Sequence, residues 1–218
     1  MRTAKERLSH LLVLAAKGTA ERAALAGEVA NLLHDWPPAY PAAMRASFEA
    51  LLEKIAREVD EAGRRDLARR FEASDDAPLS LLNELFLSSS DSLKDEILRR
   101  NDAHASLAAA SIDGAMLLAV ARKRGDFPAA LARAAAMPCS VAARIAADAS
   151  GRALAVLVKG AGLERPFYSG ICVLTVSPPD LFAALGIYDR VPRNGAANLL
   201  TFWRAKLDTS LVGRDAAA

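Results

Sequence analysis

Residues 44–59 read MRASFEALLEKIAREV, with Met44, Phe48, Leu51, Leu52, Ile55 and Val59 at positions i, i+4, i+7, i+8, i+11 and i+15. That is one continuous apolar stripe at the 3.6-residue period of an α-helix; a strand would alternate every second residue. Leu25, Val29, Leu32 and Leu33 repeat the pattern one helix earlier, and Leu8, Leu11, Leu12 and Ala15 do so in a predicted first helix. No run of four or more residues alternates. Asn194-Gly195, a dipeptide of hairpin type, lies between helical patterns. Composition points the same way. Alanine, the best helix former, occurs 48 times in 218 residues, whereas aromatics, favoured in strands, are 6%. The expected fold class is all-α.

The middle of the chain is punctuated at near-constant intervals. Helix-start signals stand at Asp76, Asp91, Asp102, Asp113, Asp126, Pro138 and Gly151. Asp is a good N-cap, and Pro78, Pro128 and Pro138 sit where a first helical turn tolerates proline. Helices of two to three turns do not stand alone in water. Repeated at this spacing they predict a solenoid, a superhelix of short helical hairpins in which each packs on its neighbours. The loop Asp35-Trp36-Pro37-Pro38-Ala39-Tyr40-Pro41 ends one helix and starts the next, with Pro41 at its first turn. Beyond Gly151 more apolar helices are predicted over 152–161, 164–175, 179–188 and 193–207. The expected organisation is a helical-repeat region over 1–150, a C-terminal helical bundle over 151–208 packed on it as one continuous domain, and a frayed tail over 209–218.

Charge excludes little and favours nothing polyanionic. Lys and Arg number 28 against 26 Asp and Glu, a net charge of +2, with no part of the chain strongly polarised. Arg2, Lys5 and Arg7 precede the apolar run Leu11–Ala16, but six residues fall short of the ~7–15 of a secretory core. Thr3 and Glu6 make a capping box instead. No run approaches the ~20 apolar residues of a membrane span. The expectation is a cytoplasmic protein without a membrane segment, with Cys139 and Cys172 as buried apolar side chains.

The densest charge cluster is Glu61-Ala62-Gly63-Arg64-Arg65-Asp66-Leu67-Ala68-Arg69-Arg70. Arg64, Arg65, Arg69 and Arg70 would suit an acidic partner or phosphates. Glu61 with Arg65 and Asp66 with Arg70, each at i,i+4 with the acid first, fit a solvated helix face equally. Asp95 with Arg99 and Glu96 with Arg100 repeat the arrangement. Arg64, Arg65, Arg69, Arg70, Arg99, Arg100 and Trp36 form the candidate interaction surface, Trp36 being either a loop anchor or an exposed contact. Trp203, at helical spacing with Leu199, Leu200 and Leu207, reads as core. Arg122-Lys123-Arg124-Gly125 reads as an ordinary helix end, and so does Gly160-Ala161-Gly162. His10, His34 and His104 stand in no metal-binding spacing, and no GxSxG, GxxxxGK or GxGxxG occurs. No catalytic residue, metal ligand or cofactor is expected.

The stretch Phe48 to Arg100, FEALLEKIAREVDEAGRRDLARRFEASDDAPLSLLNELFLSSSDSLKDEILRR, resembles a bacterial family known as domain of unknown function 2336. The resemblance lies in a helix ending in a valine–acid step, an Arg-rich helix, a proline-led helix and a short DEIL helix. Residues 153–175, ALAVLVKGAGLERPFYSGICVLT, and 199–207, LLTFWRAKL, are also similar to it, so the resemblance covers about residues 7–208. It implies a HEAT-like helical superhelix and transfers no catalytic residue. Where the family often places an arginine six positions after a histidine, His104 is followed at that distance by Ala110.

These observations lead to the expectation of a non-enzymatic protein–protein interaction or adaptor protein with an unidentified protein partner, of a kind that serves bacterial signalling. The alternative is a nucleic-acid binder using its Arg/Lys clusters, Arg122, Lys123 and Arg124 among them. A site assembled from distant residues, or a small-ligand or lipid carrier, are the remaining readings.

Overall fold

The computed structural model describes residues 22–72, 74, 77–104, 112–123 and 126–215, with side chains through Ala205. The predicted first helix with His10 lies outside these residues, as do the helix start at Asp76, Ala110, Arg124 and Gly125. Among the described residues every regular element is a helix. The chain divides into two compact units, Met1–Lys94 and Asp95–Ala218. The composition change near Gly151 lies within the second.

In the first unit, α1 (Arg22–His34), α2 (Ala42–Glu58), α3 (Glu61–Phe71) and α4 (Leu79–Leu85) are followed by a 3-10 turn at Phe86–Ser88. The Asp35–Pro41 loop reverses the chain, with Pro41 as the extended N-cap of α2. An ion pair of 2.6 Å between Arg22 at the start of α1 and Glu58 at the end of α2 shows the two run antiparallel. Asp60 caps α3 by accepting from the Gly63 N–H at 2.8 Å, one of the donors a helix start leaves open. The core comprises Leu25, Val29, Leu32 and Leu33 of α1, Leu52 and Ile55 of α2, Leu67 and Phe71 of α3, and Leu81, Leu82 and Leu85 of α4. The stripe that decides the fold class is thus only partly interior. Leu52, Ile55 and Val59 are buried, but Met44 and Leu51 are exposed and Phe48 half-buried.

The unit boundary falls within α5 (Asp91–Asp102). The second unit continues with α6 (Gly114–Arg122), α7 (Phe127–Ala135), α8 (Cys139–Ala146), α9 (Arg152–Gly160), α10 (Arg165–Thr175), α11 (Pro178–Leu185), α12 (Ile187–Arg190) and α13 (Arg193–Asp215). Asp113 caps α6 by accepting from Ala115 and Met116 N–H, as its position predicts. Asp102 does not start a helix. It is the last residue of α5, and its carboxylate accepts from the Gly195 N–H at the start of α13. The backbone helix of α13 also continues past the predicted end at 207, to Asp215.

At the centre of this unit is α9. Ala153 to Val158 are all buried, the pattern of a helix apolar on every side, and it packs against α8, α10, α12 and α13. Two glycines set the closeness of approach. A Cβ at Gly160 would stand 2.6 Å from the Ala196 carbonyl oxygen, and one at Gly195 would stand 2.4 Å from that of Leu98. The predicted stop at Gly160-Ala161-Gly162 is a paired C-cap. Gly162 adopts φ +74°, and the N–H groups of Gly162 and Leu163 donate to the carbonyls of Lys159 and Val158. The same closure ends α7 with Ala136 at φ 50°, where Met137 donates to Ala132.

Candidate interaction surface

The arginines of α3 point in different directions. Arg64 faces inward with its side chain 17% exposed, its guanidinium 3.4 Å from Glu61 and its Nε buried without a partner. Arg65 is exposed. Arg69 pairs with Asp66 at 3.1 Å. Arg70, expected on Asp66, donates to Asn31 Oδ1 of α1 at 2.8 Å and lies against Gly27. On α5, Arg99 makes a two-pronged contact with Glu96, at 2.8 and 2.6 Å, which holds the Glu96 carboxyl below the usual glutamate range. Arg100 is half-buried. Asp95 lies against Arg152 of α9, whose guanidinium is buried and reaches it at 3.3 Å. The four α3 arginines therefore form no single cationic face, because burial of Leu67, Ala68 and Phe71 turns Arg64 toward the interior.

Trp36 is half-buried and anchors its loop. Its ring meets Tyr40 edge-on at 5.7 Å and Phe48 at 6.0 Å. Trp203 is core, as its spacing predicts. Cys172 is buried, but Cys139 is exposed; it is the first residue of α8, ahead of the buried Val141, Ala142 and Ile145. His34 and His104 are exposed. Among the described residues, no cluster of three His, Cys, Asp or Glu side chains could hold a metal ion, and no helix is long and apolar enough to cross a membrane.

The surface feature that stands out carries no arginine. Helix α11, PPDLFAAL, has its large apolar residues at Pro178, Leu181, Phe182 and Leu185, the i, i+3, i+4, i+7 pattern of a core-facing helix. Its one buried residue is Ala184. Phe182 is 87% exposed, and Val173 on the last turn of α10 is 59% exposed. Pro178, Pro179 and Ala183 are exposed, with Leu181, Leu185 and Val176 half-buried. A single exposed apolar residue is ordinary, but a contiguous group is not.

Tyr168 fixes α11 in this orientation. Its buried hydroxyl donates to the Ala184 carbonyl at 2.6 Å, with the Gly151 carbonyl at 3.3 Å, and its ring meets Tyr188 at 5.5 Å. Burial pushes the ionisation of this phenol far above its ordinary value and raises the neighbouring Cys172 thiol as well. Both groups stay protonated and structural at neutral pH.

Beside α11 an open groove of about 500 Å³ is lined by Ala121, Phe127, Ala146, Val173, Val176 and Pro178, among others. A smaller hollow of about 220 Å³ shares Phe127, Ala146 and Val176 with it and runs on to Leu154 and Gly151. The groove arises because α6 and α10 lie side by side in the same direction. Gly114 faces Phe167 at their starts, and Leu118 faces Gly170 further along. Their last turns therefore end together, around the first residues of α7 and α11. Besides apolar side chains the walls carry Thr175 and Ser177, and the smaller hollow Asp148; among the described residues no titratable pair lines them.

No protein-family model, no curated protein and no solved structure matches the chain.

Proposed function

We propose that this protein is a non-enzymatic protein-interaction module that binds through the apolar face formed by α11 and the end of α10. The observation that carries the proposal is Phe182, 87% exposed next to the exposed Pro178, Pro179 and Val173, on a helix whose Leu181 and Leu185 are only half-buried. A monomeric protein gains nothing by leaving such a group in water, at roughly 25 cal/mol per Å² of apolar surface, whereas a partner that covers it recovers that term. Tyr168, bonded to the α11 backbone, holds the face in place before any partner arrives, which lowers the ordering cost of binding. A cytoplasmic location, an adaptor role and an unidentified protein partner belong to the same proposal.

A HEAT-like helical-repeat architecture and kinship with the family of domain of unknown function 2336 also belong to it. Short helices each packed on the next in sequence, α6 on α7, α7 on α8 and α8 on α9, support the repeat reading. The valine–acid step of the resemblance has a packing reason here, since Val59 is buried and Asp60 caps α3.

The test is affinity capture from the native host's lysate after nuclease treatment, with the wild-type chain and Phe182→Ser as parallel baits. The proposal expects a stoichiometric protein on the wild-type bait that Phe182→Ser loses, while Arg65→Ala/Arg69→Ala retains it. Capture lost with the arginine pair and kept with Phe182→Ser would overturn it. Nucleic acid that co-purifies without nuclease and washes away with salt would favour the arginine clusters instead.

A further inference from the structure

We propose that the apolar face of α11 is a two-fold contact with a second copy of this chain, in which the Phe182 ring of each copy enters the groove of the other. The proposal rests on the reading that this face is a protein-contact surface, and it names the occupant.

Knob and hole lie next to each other. Pro178 borders the groove, and Phe182 follows it by four residues, one turn further along the same side of α11. A two-fold contact requires one surface patch to carry both complementary features, so that residue i meets j and j meets i. An axis passing near the turn between Pro178 and Phe182 would bring two α11 helices together antiparallel and exchange their Phe182 rings. The groove is large enough, at about 500 Å³ against the ~150 Å³ cavity that holds a benzene ring. At 87% exposure Phe182 does not occupy the groove of its own chain.

Charge argues for a second copy over a different partner. From Pro166 to Tyr188 the sequence carries a single charged residue, Asp180, and that carboxylate already accepts from the Ser177 hydroxyl at 2.5 Å. A face that meets an unlike partner can use complementary charge to select it, whereas a face that meets itself sets like charges together near its two-fold axis, and over Pro166–Tyr188 Asp180 is the one charge that could stand there. The α10–α11 side of the patch is thus nearly neutral, and the other wall of the groove, at Ala121 and Phe127, is flanked by both signs of charge, Arg122 and Lys123 with Asp126, which two copies can pair crosswise.

The area sets the strength. A Phe side chain offers ~200 Å², so the exposure of Phe182 leaves about 170 Å² on that residue. With Val173, Pro178, Pro179 and Ala183 exposed and Leu181, Leu185 and Val176 half-buried, the face offers on the order of 400–500 Å² per copy. That is about half of the ~800 Å² per partner in a standard stable interface. The dimer is therefore weak and concentration-dependent.

Sedimentation equilibrium of the full chain from about 1 to about 200 μM tests this directly. The expected result is a monomer–dimer equilibrium whose Kd rises at least about tenfold in Phe182→Ser. Ala146→Phe, which fills the groove and leaves the knob intact, should weaken the dimer similarly. An equimolar mixture of the two variants keeps one intact knob-and-groove pair and should associate more strongly than either variant alone. A wild-type chain that stays monomeric throughout, or a dimer unaffected by Phe182→Ser, overturns the proposal. Should the wild type be monomeric while the Phe182→Ser bait loses a captured protein, self-contact fails and the protein-contact reading stands. Should the bait be unaffected as well, both fail.

Discussion

Substituting Gly160 by alanine tests the packing at the centre of the second unit with a single methyl group. Gly160 closes α9 against α13, and a Cβ there would stand 2.6 Å from the Ala196 carbonyl oxygen, 2.9 Å from its carbon and 3.2 Å from Leu200 Cβ. Two of those three atoms are backbone, so no rotamer change relieves the clash. Optimal non-bonded separations are ~3.5 Å or more, so relieving the 2.6 Å contact in full means parting the two helices by about 0.9 Å or bending them. Overpacking of this kind costs about 1–3 kcal/mol. Alanine returns up to ~1 kcal/mol of helix propensity, less at a terminal position. The net loss is about 1–2 kcal/mol, which for a chain of this length lowers Tm by about 2–8 °C. Thermal unfolding followed by circular dichroism reads the shift. Hydrogen exchange should show faster amides in both α9 and α13, since the strain is shared across their contact. A Gly160→Ala variant that melts at or above the wild-type temperature would refute the close approach of these helices.

Three further outcomes follow from the geometry. Tyr168→Phe removes the hydroxyl that holds the Ala184 carbonyl and should cost about 1–2 kcal/mol, with faster amide exchange along α11; unchanged stability would show that this bond does not hold the helix. Ala136→Gly should stabilise by about 1 kcal/mol in urea unfolding, because Ala136 is a non-glycine residue at φ 50°, and a loss of stability would contradict that conformation. Glu96 is held below its ordinary range by Arg99, so the stability it contributes is present above the unfolded-state pKa and lost as pH falls through the lower folded-state one. An NMR titration should find the Glu96 midpoint raised by Arg99→Gln, and a midpoint that does not move would exclude Arg99 as the cause.

Helix type and many helix limits were legible from local signals. The predicted spans 152–161 and 164–175 match Arg152–Gly160 and Arg165–Thr175 closely, because a left-handed glycine at 162 and an N-terminal proline at 166 act within a turn of their own position. The Asp113 cap was readable for the same reason. Asp102 misled because its partner is the Gly195 N–H, 93 residues away, and a carboxylate so engaged looks in sequence like any N-cap. The acid–base pairs resolved differently too. Asp66 meets Arg69 and Glu96 meets Arg99, three residues apart, while Arg70 and Asp95 take partners on other helices.

The candidate site was the least legible part. Hydrophobic periodicity tells which residues share a face and is silent on whether anything in the chain covers that face. In α2 the stripe is half interior and half exposed, and in α11 Pro178 and Phe182 are exposed while Leu181 and Leu185 are half-buried. One signal was present, the single charge between Pro166 and Tyr188, which marks a stretch too apolar for an ordinary solvated surface. The arginine clusters drew attention because charge is conspicuous in sequence; their pairing with acids and with Asn31 is visible only in three dimensions.

Photo-crosslinking from position 182 tests the central claim most directly, with a benzoyl-bearing aromatic residue placed there in living cells of the native host. The account predicts a discrete crosslinked polypeptide. When two copies meet, the joined peptides should include groove segments such as Val173–Pro178 of the other chain. A residue at position 182 that reacts with no other polypeptide, while crosslinkers placed at Arg65 or Arg69 do, would contradict it.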